Sequence, residues 1–201
     1  MTSNLKIISM SGKDLSPWID KLGQLRITVF NEFPYLYEGD LEYERKYLDV
    51  YLKSPSSLIV LVLNKNEDVV GATTCLKLIE EGAELQKAFK DAHYNLNDVC
   101  YFGESLLLPE LRGLGLGKEF FKFREDHAQK LGSQWTTFCA VNRSPDHPRR
   151  PPHYQPLDTF WIKQGYTKHP ELQAQFIWKE IGEAQESPKS LTFWLKEWPQ
   201  K

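Results

Sequence analysis

Apolar residues follow two different periods along this chain. Short segments that are almost continuously apolar, such as residues 58–63, predict buried strands, because they are too short to be independent helices. Segments with apolar residues at every third or fourth position predict helices with one buried face. The predicted strands are residues 5–10, 58–63, 69–79, 99–108, 135–141, 173–181 and 191–198.

Capping residues bound the predicted helices. Ser16 followed by Pro17 is a typical helix start, since the first turn does not need the N–H that proline lacks. Asp40 is a candidate cap for a second helix, and Gly132 is a typical helix stop. The predicted helices are residues 16–33, 41–52, a short one within 80–93, 117–131 and 157–164.

The order of these elements, β-α-α-β-β-(α)-β-α-β-α-β-β, predicts a mixed sheet covered by helices, of the α/β (α+β) class. The chain has 201 residues, of which 41% are apolar, and this is enough for one compact domain over residues 1–201. A domain of this size buries roughly 70% of its unfolded surface, so its core does not depend on a disulfide or a structural metal.

Charge and cysteine content limit the function classes. The net charge of -2 gives no electrostatic reason to expect nucleic acid as a partner. Cys75, Cys100 and Cys139 lack a CxxC spacing, which argues against a zinc site or a disulfide framework and favours a reducing, cytoplasmic location. No segment approaches the roughly 20 apolar residues of a membrane span, so we expect no membrane partner.

Three glycines follow the predicted strand 99–108, in the sequence RGLGLG at residues 112–117. A dinucleotide-binding GxGxxG motif would need glycine at Phe120 or Lys118, and a P-loop would need serine or threonine at Glu119, so neither motif fits. The remaining pattern, Arg-x-x-Gly-x-Gly, lies between a strand and a helix. Successive N–H groups in such a turn, with the helix dipole, favour a bound diphosphate.

The stretch LLLPELRGLGLG resembles the coenzyme A signature of the GNAT superfamily of acyl-CoA-dependent N-acyltransferases. DTFWIKQGY, at residues 158–166, resembles the second motif of the family, and Val141-Asn142 resembles the strand end where the family has an asparagine. This resemblance implies the acyl-CoA N-acyltransferase fold. That fold is a mostly antiparallel sheet of about seven strands, flanked by helices and splayed between strands 4 and 5.

The resemblance also implies how the cosubstrate acetyl-CoA is held. The backbone of the last strand residues pairs with the pantetheine arm, and the N–H of Leu108 polarises the thioester carbonyl. Arg112 and Lys118 add charge or are ordinary surface cations, and Asn142 lies near the pantetheine or is an ordinary turn residue. The implied coenzyme A residues are Leu106, Leu107, Leu108, Arg112, Gly113, Leu114, Gly115, Leu116, Gly117, Lys118 and Asn142.

Glu104 is the candidate general base, because alternation places it on the strand face of Leu106 and Leu108. Family members often carry this glutamate nearer the strand start, at about Phe102, and Glu104 as a structural hydrogen-bond partner is the alternative. The family often uses a tyrosine as general acid.

Trp161 occupies the position of that tyrosine here. Tyr154, His153 or solvent is then the candidate proton donor. Cys139 is expected in the core rather than as a nucleophile, since it has no local signature.

Two segments are candidates for the acceptor site. The first is the linker between the first two helices, where aromatic faces and a carboxylate suit a cationic amine, unless they merely pack the linker. Its candidate residues are Phe33, Tyr35, Tyr37 and Glu38. The second is the basic loop 143–155, which contacts the nucleotide 3′-phosphate, contacts an anionic acceptor or is only solvated.

Together these features predict an N-acetyltransferase (EC 2.3.1 class) that moves an acetyl group from acetyl-CoA to a primary amine. The predicted mechanism is direct attack in a ternary complex, without a metal, on an acceptor that is a small molecule. The alternatives are a non-catalytic acyl-CoA-binding or regulatory module and a structural or interaction protein. Phe193, Trp194 and Trp198 indicate a homodimer surface if they are exposed and close the sheet if they are buried.

Overall fold

The computed structural model describes residues 5–199 and contains, in that range, five α-helices and seven β-strands. The helices are α1 Ile19–Phe30, α2 Leu41–Lys53, α3 Ala83–Asp91, α4 Leu116–Lys130 and α5 Asp158–Lys163. The strands are β1 Lys6–Met10, β2 Leu58–Leu63, β3 Val69–Lys77, β4 Val99–Leu107, β5 Trp135–Val141, β6 Thr167–Trp178 and β7 Ser187–Glu197. Residues 1–4 and 200–201 of the predicted domain lie outside the described residues.

The strands form one sheet in the order β1-β2-β3-β4-β5-β7-β6. Neighbouring strands are antiparallel, except β4 and β5, which are parallel. β4 and β5 pair only from Val99 with Trp135 to Tyr101 with Thr137, although both strands continue beyond these residues. The gap that opens there is called the wedge below. The predicted fold class, including the splay between strands 4 and 5, is confirmed.

Helices cover both faces of the sheet. On one face, called the α1 face, buried side chains such as Leu22 of α1, Leu48 of α2 and Phe89 of α3 form the main core. On the other, called the α4 face, Phe121 of α4 and Phe160 of α5 belong to an aromatic cluster. Within residues 5–199, no helix is both long enough and apolar enough to cross a bilayer.

The sequence explains where the first two helices begin. Asp40 accepts hydrogen bonds from the N–H groups of Glu42 and Tyr43, which confirms the predicted cap of α2. The predicted start of the first helix is too early, because Gly12–Trp18 forms 3-10 turns before α1.

The last two strands are longer than predicted. β6 begins at Thr167 and β7 at Ser187. β6 is an edge strand, paired only with β7. Edge strands often carry polar residues, and those at the start of β6 hide its alternating pattern.

The aromatic residues near the end of the chain close the sheet. β7 lies between β5 and β6, and its Phe193 and Trp194 are buried. Trp198 donates from Nε1 to the Thr136 hydroxyl at 3.0 Å. Phe193 and Trp194 therefore close the sheet, as the sequence predicts for buried side chains, whereas Trp198 is half-buried.

Candidate active site

The glycine turn between β4 and α4 is a concave surface of backbone donors. The N–H groups of five successive residues, Gly113 to Gly117, find no hydrogen-bond acceptor within residues 5–199. Gly113 and Gly115 have φ angles of +79° and +89°, which glycine adopts without strain. A Cβ at either position would meet no atom within 4 Å, so the space beside the turn is open. We call this turn the cradle.

Helix α4 begins directly at the cradle, with Gly115 as its N-cap, and adds the positive potential of its dipole. The N–H of Lys118 is not free to bind a diphosphate as predicted, because it donates to the Gly115 carbonyl at 3.0 Å. The side chain of Arg112 also has partners within the protein. Its Nη1 lies 2.8 Å from the Glu32 carboxylate, and its Nε donates to the Leu107 carbonyl at 3.1 Å. Arg112 therefore fixes the turn in place rather than offering a free cation.

One edge of β4 borders the wedge. Leu108 donates its N–H to the Val70 carbonyl at 3.1 Å, so it points towards β3 and is not the free donor that the sequence predicts. Because backbone groups alternate between the edges of a strand, the N–H of Leu107 points into the wedge instead. The side chain of Leu106 is buried on the α1 face, as expected for core.

A β-bulge orients Glu104. Thr73 pairs with Ser105 and Cys75 with Phe102, so β4 has one more residue than β3 between these pairs. Phe102 points into the α4-face cluster, whereas Glu104 contacts Arg26 of α1 on the opposite face. Without the extra residue, Glu104 would share the face of Phe102.

Glu104 belongs to a buried group of three charges. Arg26 donates from Nη1 to Glu104 Oε2 at 2.5 Å and from Nε to Glu44 Oε2. The side chains of Glu44 and Glu104 are 0% and 1% exposed, and the second oxygen of each, Oε1, has no hydrogen-bond partner among the described residues. With both carboxylates ionised, the group carries one excess negative charge and two buried oxygens that lack a donor.

Burial raises the pKa of Glu104, and the Arg26 guanidinium opposes this shift without cancelling it. The guanidinium carbon of Arg26 also lies 3.9 Å from the centroid of the Tyr47 ring. Glu104 is thus a buried carboxylate that holds a proton more readily than an exposed one.

A cavity of about 100 Å³ lies at the wedge, between Gly103 and Glu104 of β4 and Cys139 of β5. Tyrosine rings form much of its wall, and Arg26 also lines it. Its remaining lining residues are Phe30, Tyr35, Tyr37, Tyr43, Tyr47, Tyr101, Phe176, Ile177, Trp178 and Leu191.

The aromatic linker contributes only part of what the sequence predicts. Tyr35 and Tyr37 line the cavity, whereas Phe33 packs against His147 and Tyr154 of the basic loop. Glu38 is half-exposed and forms a salt bridge of 3.1 Å with Lys179, so it is not the acid of this cavity.

Arg143 of the basic loop holds the linker. Arg143 donates to the carbonyl of Pro34 at 2.5 Å and to that of Tyr35 at 3.0 Å, and it pairs with Glu180. This position leaves little of the guanidinium for a phosphate.

Two further predicted residues have other partners. Asn142 donates from Nδ2 to the Ser190 hydroxyl at 3.0 Å and accepts from the Thr192 hydroxyl at 2.9 Å, so it joins β5 to β7. Tyr154 packs edge-on against Phe33, with ring centroids 4.6 Å apart, and does not line the cavity. The cofactor-binding role of Asn142 and the proton-donating role of Tyr154 stay predictions.

Trp161 lies in the α4-face cluster. Its ring centroid is 5.1 Å from those of Phe138 and Trp194. Cys139 packs against the core, as expected, and burial raises the pKa of its thiol to about 12.

Sequence reasoning missed the two charged partners of Glu104. Arg26 lies on the apolar face of α1 with Leu22 and Leu25, and Glu44 shares the buried face of α2 with Leu48. Charged residues at apolar positions of an amphipathic helix are the signal that would have found them.

No protein-family model matches the sequence, and no curated protein matches it. Solved structures do match. A GNAT-family acetyltransferase from Staphylococcus aureus has a TM-score of 0.56 and 12% identity, covering 96% of this chain and 98% of the other. A Salmonella typhimurium protein solved with its cofactor acetyl-CoA has a TM-score of 0.55 and 10% identity, covering 97% and 94%. A variant of spermidine N-acetyltransferase from Vibrio cholerae has a TM-score of 0.52 and 10% identity, covering 97% and 94%.

These likenesses extend over almost the whole of each chain at very low identity, so they concern the fold. The chain has the acyl-CoA N-acyltransferase fold of the GNAT superfamily.

Proposed function

We propose that this protein transfers an acetyl group from acetyl-CoA to the primary amine of a small molecule. The observation that carries the proposal is the juxtaposition of three features. These are the unpaired N–H groups of the cradle, the wedge beside β4, and a buried carboxylate, Glu104, with one oxygen that lacks a partner among the described residues.

The cradle would hold the diphosphate of acetyl-CoA. Hydrogen bonds to charged groups contribute about 1.5–3 kcal/mol each, so two or three N–H groups from Gly113 to Gly117 would supply most of the binding free energy of the diphosphate. The N–H of Leu107, on the wedge edge of β4, would donate to the pantetheine arm or to the thioester carbonyl. Acetyl-CoA supplies the activated acyl group in this arrangement.

The cavity would take the amine end of the acceptor. The aromatic walls and the Glu104 carboxylate favour an ammonium group, and Glu104 Oε1 is an acceptor without a donor among residues 5–199. The volume of about 100 Å³ suits an aminomethyl end, with the rest of the acceptor outside. One protein of similar fold carries spermidine, itself a primary amine, in its name as an N-acetyltransferase.

The chemical step follows from these positions. Glu104 takes one proton from the ammonium group, and the neutral nitrogen attacks the thioester carbonyl. The C–S bond breaks as the N–C bond forms, and the nitrogen gives its second proton to water, which leaves a neutral amide and the coenzyme A thiolate. Because Trp161 cannot donate a useful proton, the leaving thiolate is protonated by solvent or by one of the tyrosine hydroxyls of the cavity, such as that of Tyr101.

A thiol-release assay over polyamines, simple amines, amino acids and aminoglycosides tests the proposal. We expect turnover with at least one primary amine, and we expect Glu104→Gln to slow that turnover by about a hundredfold or more. Glu197→Gln, an exposed glutamate at the end of β7, is the matched control and should behave as wild type.

The same assay separates the main alternative. If acetyl-CoA binds in calorimetry but no amine of the panel turns over, the protein is a non-catalytic acyl-CoA-binding module. If acetyl-CoA does not bind at millimolar concentration, both functions are excluded.

A further inference from the structure

A second cavity, of about 550 Å³, lies next to the first. The two share Tyr43, Tyr47, Phe176 and Ile177 as a common wall. The first cavity contains Glu104 among its lining residues, and the second contains Glu81, in the segment between β3 and α3.

Two buried hydroxyl groups lie between these carboxylates. Thr74 and Tyr51 are both 0% exposed. A Cβ built on Gly103 would be 1.9 Å from Tyr51 Oη and 2.7 Å from Thr74 Oγ1, so both oxygens converge on the glycine of the β4 bulge. Glycine at this position leaves the room in which the two hydroxyls approach each other.

Thr74 lies in β3 opposite the bulge residues Gly103 and Glu104, and its hydroxyl neighbours both the Glu104 carboxylate and the Tyr51 hydroxyl. Neither contact reaches full hydrogen-bond geometry, and Thr74 Oγ1 and Glu104 Oε1 are buried without a partner among the described residues. Leaving such groups unpaired costs about 1–3 kcal/mol each. Because two of them lie next to each other between the two cavities, we expect them to have a function.

Glu81 completes the series. Tyr51 Oη lies 3.5 Å from Glu81 Oε1, the outer limit of a hydrogen bond, and Glu81 Oε2 accepts from the Gly82 N–H at 3.2 Å. Burial raises the pKa of Glu81 to about 7. Glu81 can therefore both accept and release a proton near neutral pH, and it lines a cavity that is open to solvent.

We propose that the proton taken up by Glu104 leaves the active site through Thr74 and Tyr51 to Glu81, and from there to water in the second cavity. The inference rests on the proposed function. Protonated Glu104 gives its proton to Thr74 Oγ1, Thr74 passes its own to Tyr51, and Tyr51 passes its own to the Glu81 carboxylate. Each hydroxyl ends with one proton, and Glu104 is again a free base.

The charges around the path are compatible with this direction. Arg26 and Glu44 face Glu104, and Tyr47 lies beside Tyr51. The Arg26 guanidinium favours the return of Glu104 to its ionised form, since an opposite charge lowers the affinity of a carboxylate for protons.

Three variants test the path with acetyl-CoA and spermidine, or with the amine that turns over fastest in the panel. Tyr51→Phe, Thr74→Val and Glu81→Gln should each lower kcat by about tenfold or more, as expected for an impaired proton transfer, with the KM for the amine unchanged. Tyr94→Phe and Glu84→Gln are the matched controls. Tyr94 packs on Trp135 at the other end of the sheet, and Glu84 lines the second cavity without a hydrogen bond to Tyr51.

The Thr74→Val variant separates a proton path from a structural role. Because Thr74 Oγ1 has no partner among the described residues, replacing the hydroxyl with a methyl group should leave the stability unchanged or higher while kcat falls. The pH profile gives a second readout: the part of the acid limb of kcat with a midpoint near 7 should disappear in Tyr51→Phe.

An active wild type with all three variants at wild-type kcat and an unchanged pH profile would overturn the path but not the transferase function. Loss of turnover in wild type and variants alike would overturn the function and the path together. Equal losses of stability and activity in all three variants would show that these residues only stabilise the fold, and would overturn the proton path.

Discussion

Replacing Arg26 with methionine removes the only cation that pairs with the Glu44 and Glu104 carboxylates among the described residues. All three side chains are less than a tenth exposed, so water does not take over the role of the guanidinium. Methionine keeps most of the apolar contact with Phe30 and Tyr47, which isolates the effect of the charge.

The magnitude follows from burial. Removing one partner of a buried ion pair leaves an uncompensated charge and costs about 3–5 kcal/mol, a large part of the 5–15 kcal/mol that stabilises a typical domain. For a chain of this size, the melting temperature should fall on the order of 10 °C. Urea unfolding at pH 7.5 measures the loss, which should shrink at pH 5 because the unpaired Glu104, whose pKa burial raises, then takes up a proton more readily.

Arg45→Met is the matched control. Arg45 pairs with Asp20 at 2.7 and 2.9 Å, but the two side chains are 52% and 62% exposed, so this pair should contribute less than about 1 kcal/mol. Equal losses for Arg26→Met and Arg45→Met, or a loss for Arg26→Met that does not change with pH, would refute the description of a buried charge group.

Two further predictions concern the same region. Gly103→Ala places a Cβ 1.9 Å from Tyr51 Oη and should destabilise the protein by about 1–3 kcal/mol in urea unfolding. Adding Tyr51→Phe should recover part of this loss. If it recovers none, the clash with the Tyr51 hydroxyl is not the cause of the loss. Glu81→Gln should stabilise the protein above pH 7 and not below pH 4.5. A folded-state pKa raised from 4.5 to about 7 weakens the wild type as pH rises through that range, by about 3 kcal/mol in full. A gain that is equal at pH 4 and pH 9 would contradict a raised pKa of Glu81.

The sequence was sufficient for the sheet, most helix limits and the glycine turn, because these depend on local patterns. Periods of apolar residues located β2, and Asp40 located the start of α2. The cradle was predictable because glycine spacing, strand and helix are contiguous in the chain.

The charge group was not predictable to the same degree, because it depends on distant elements. Glu104 reaches Arg26 only through a bulge in β4, and a bulge has no reliable signal in a single sequence. The prediction chose Glu38 as the acid of the acceptor site because it adjoins three aromatics. The structure places Glu104 in the wall of that cavity instead, and Glu44 pairs with the same arginine, Arg26.

The hydrogen bond of Leu108 shows a finer limit. Alternation along β4 was clear from the sequence, but which edge faces the wedge depends on the register with β3. A one-residue difference in that register exchanges Leu107 and Leu108 as donors.

A nitrogen-15 NMR titration with acetyl-CoA tests whether the cradle binds the diphosphate, since it observes the backbone N–H groups themselves. We expect the amide resonances of Gly113 to Gly117 and Leu107 to shift most. Those of Gly12, before α1, and Gly132, beyond the far end of α4, should stay in place. Resonances of Gly113 to Gly117 that do not move at millimolar acetyl-CoA would contradict binding at the cradle.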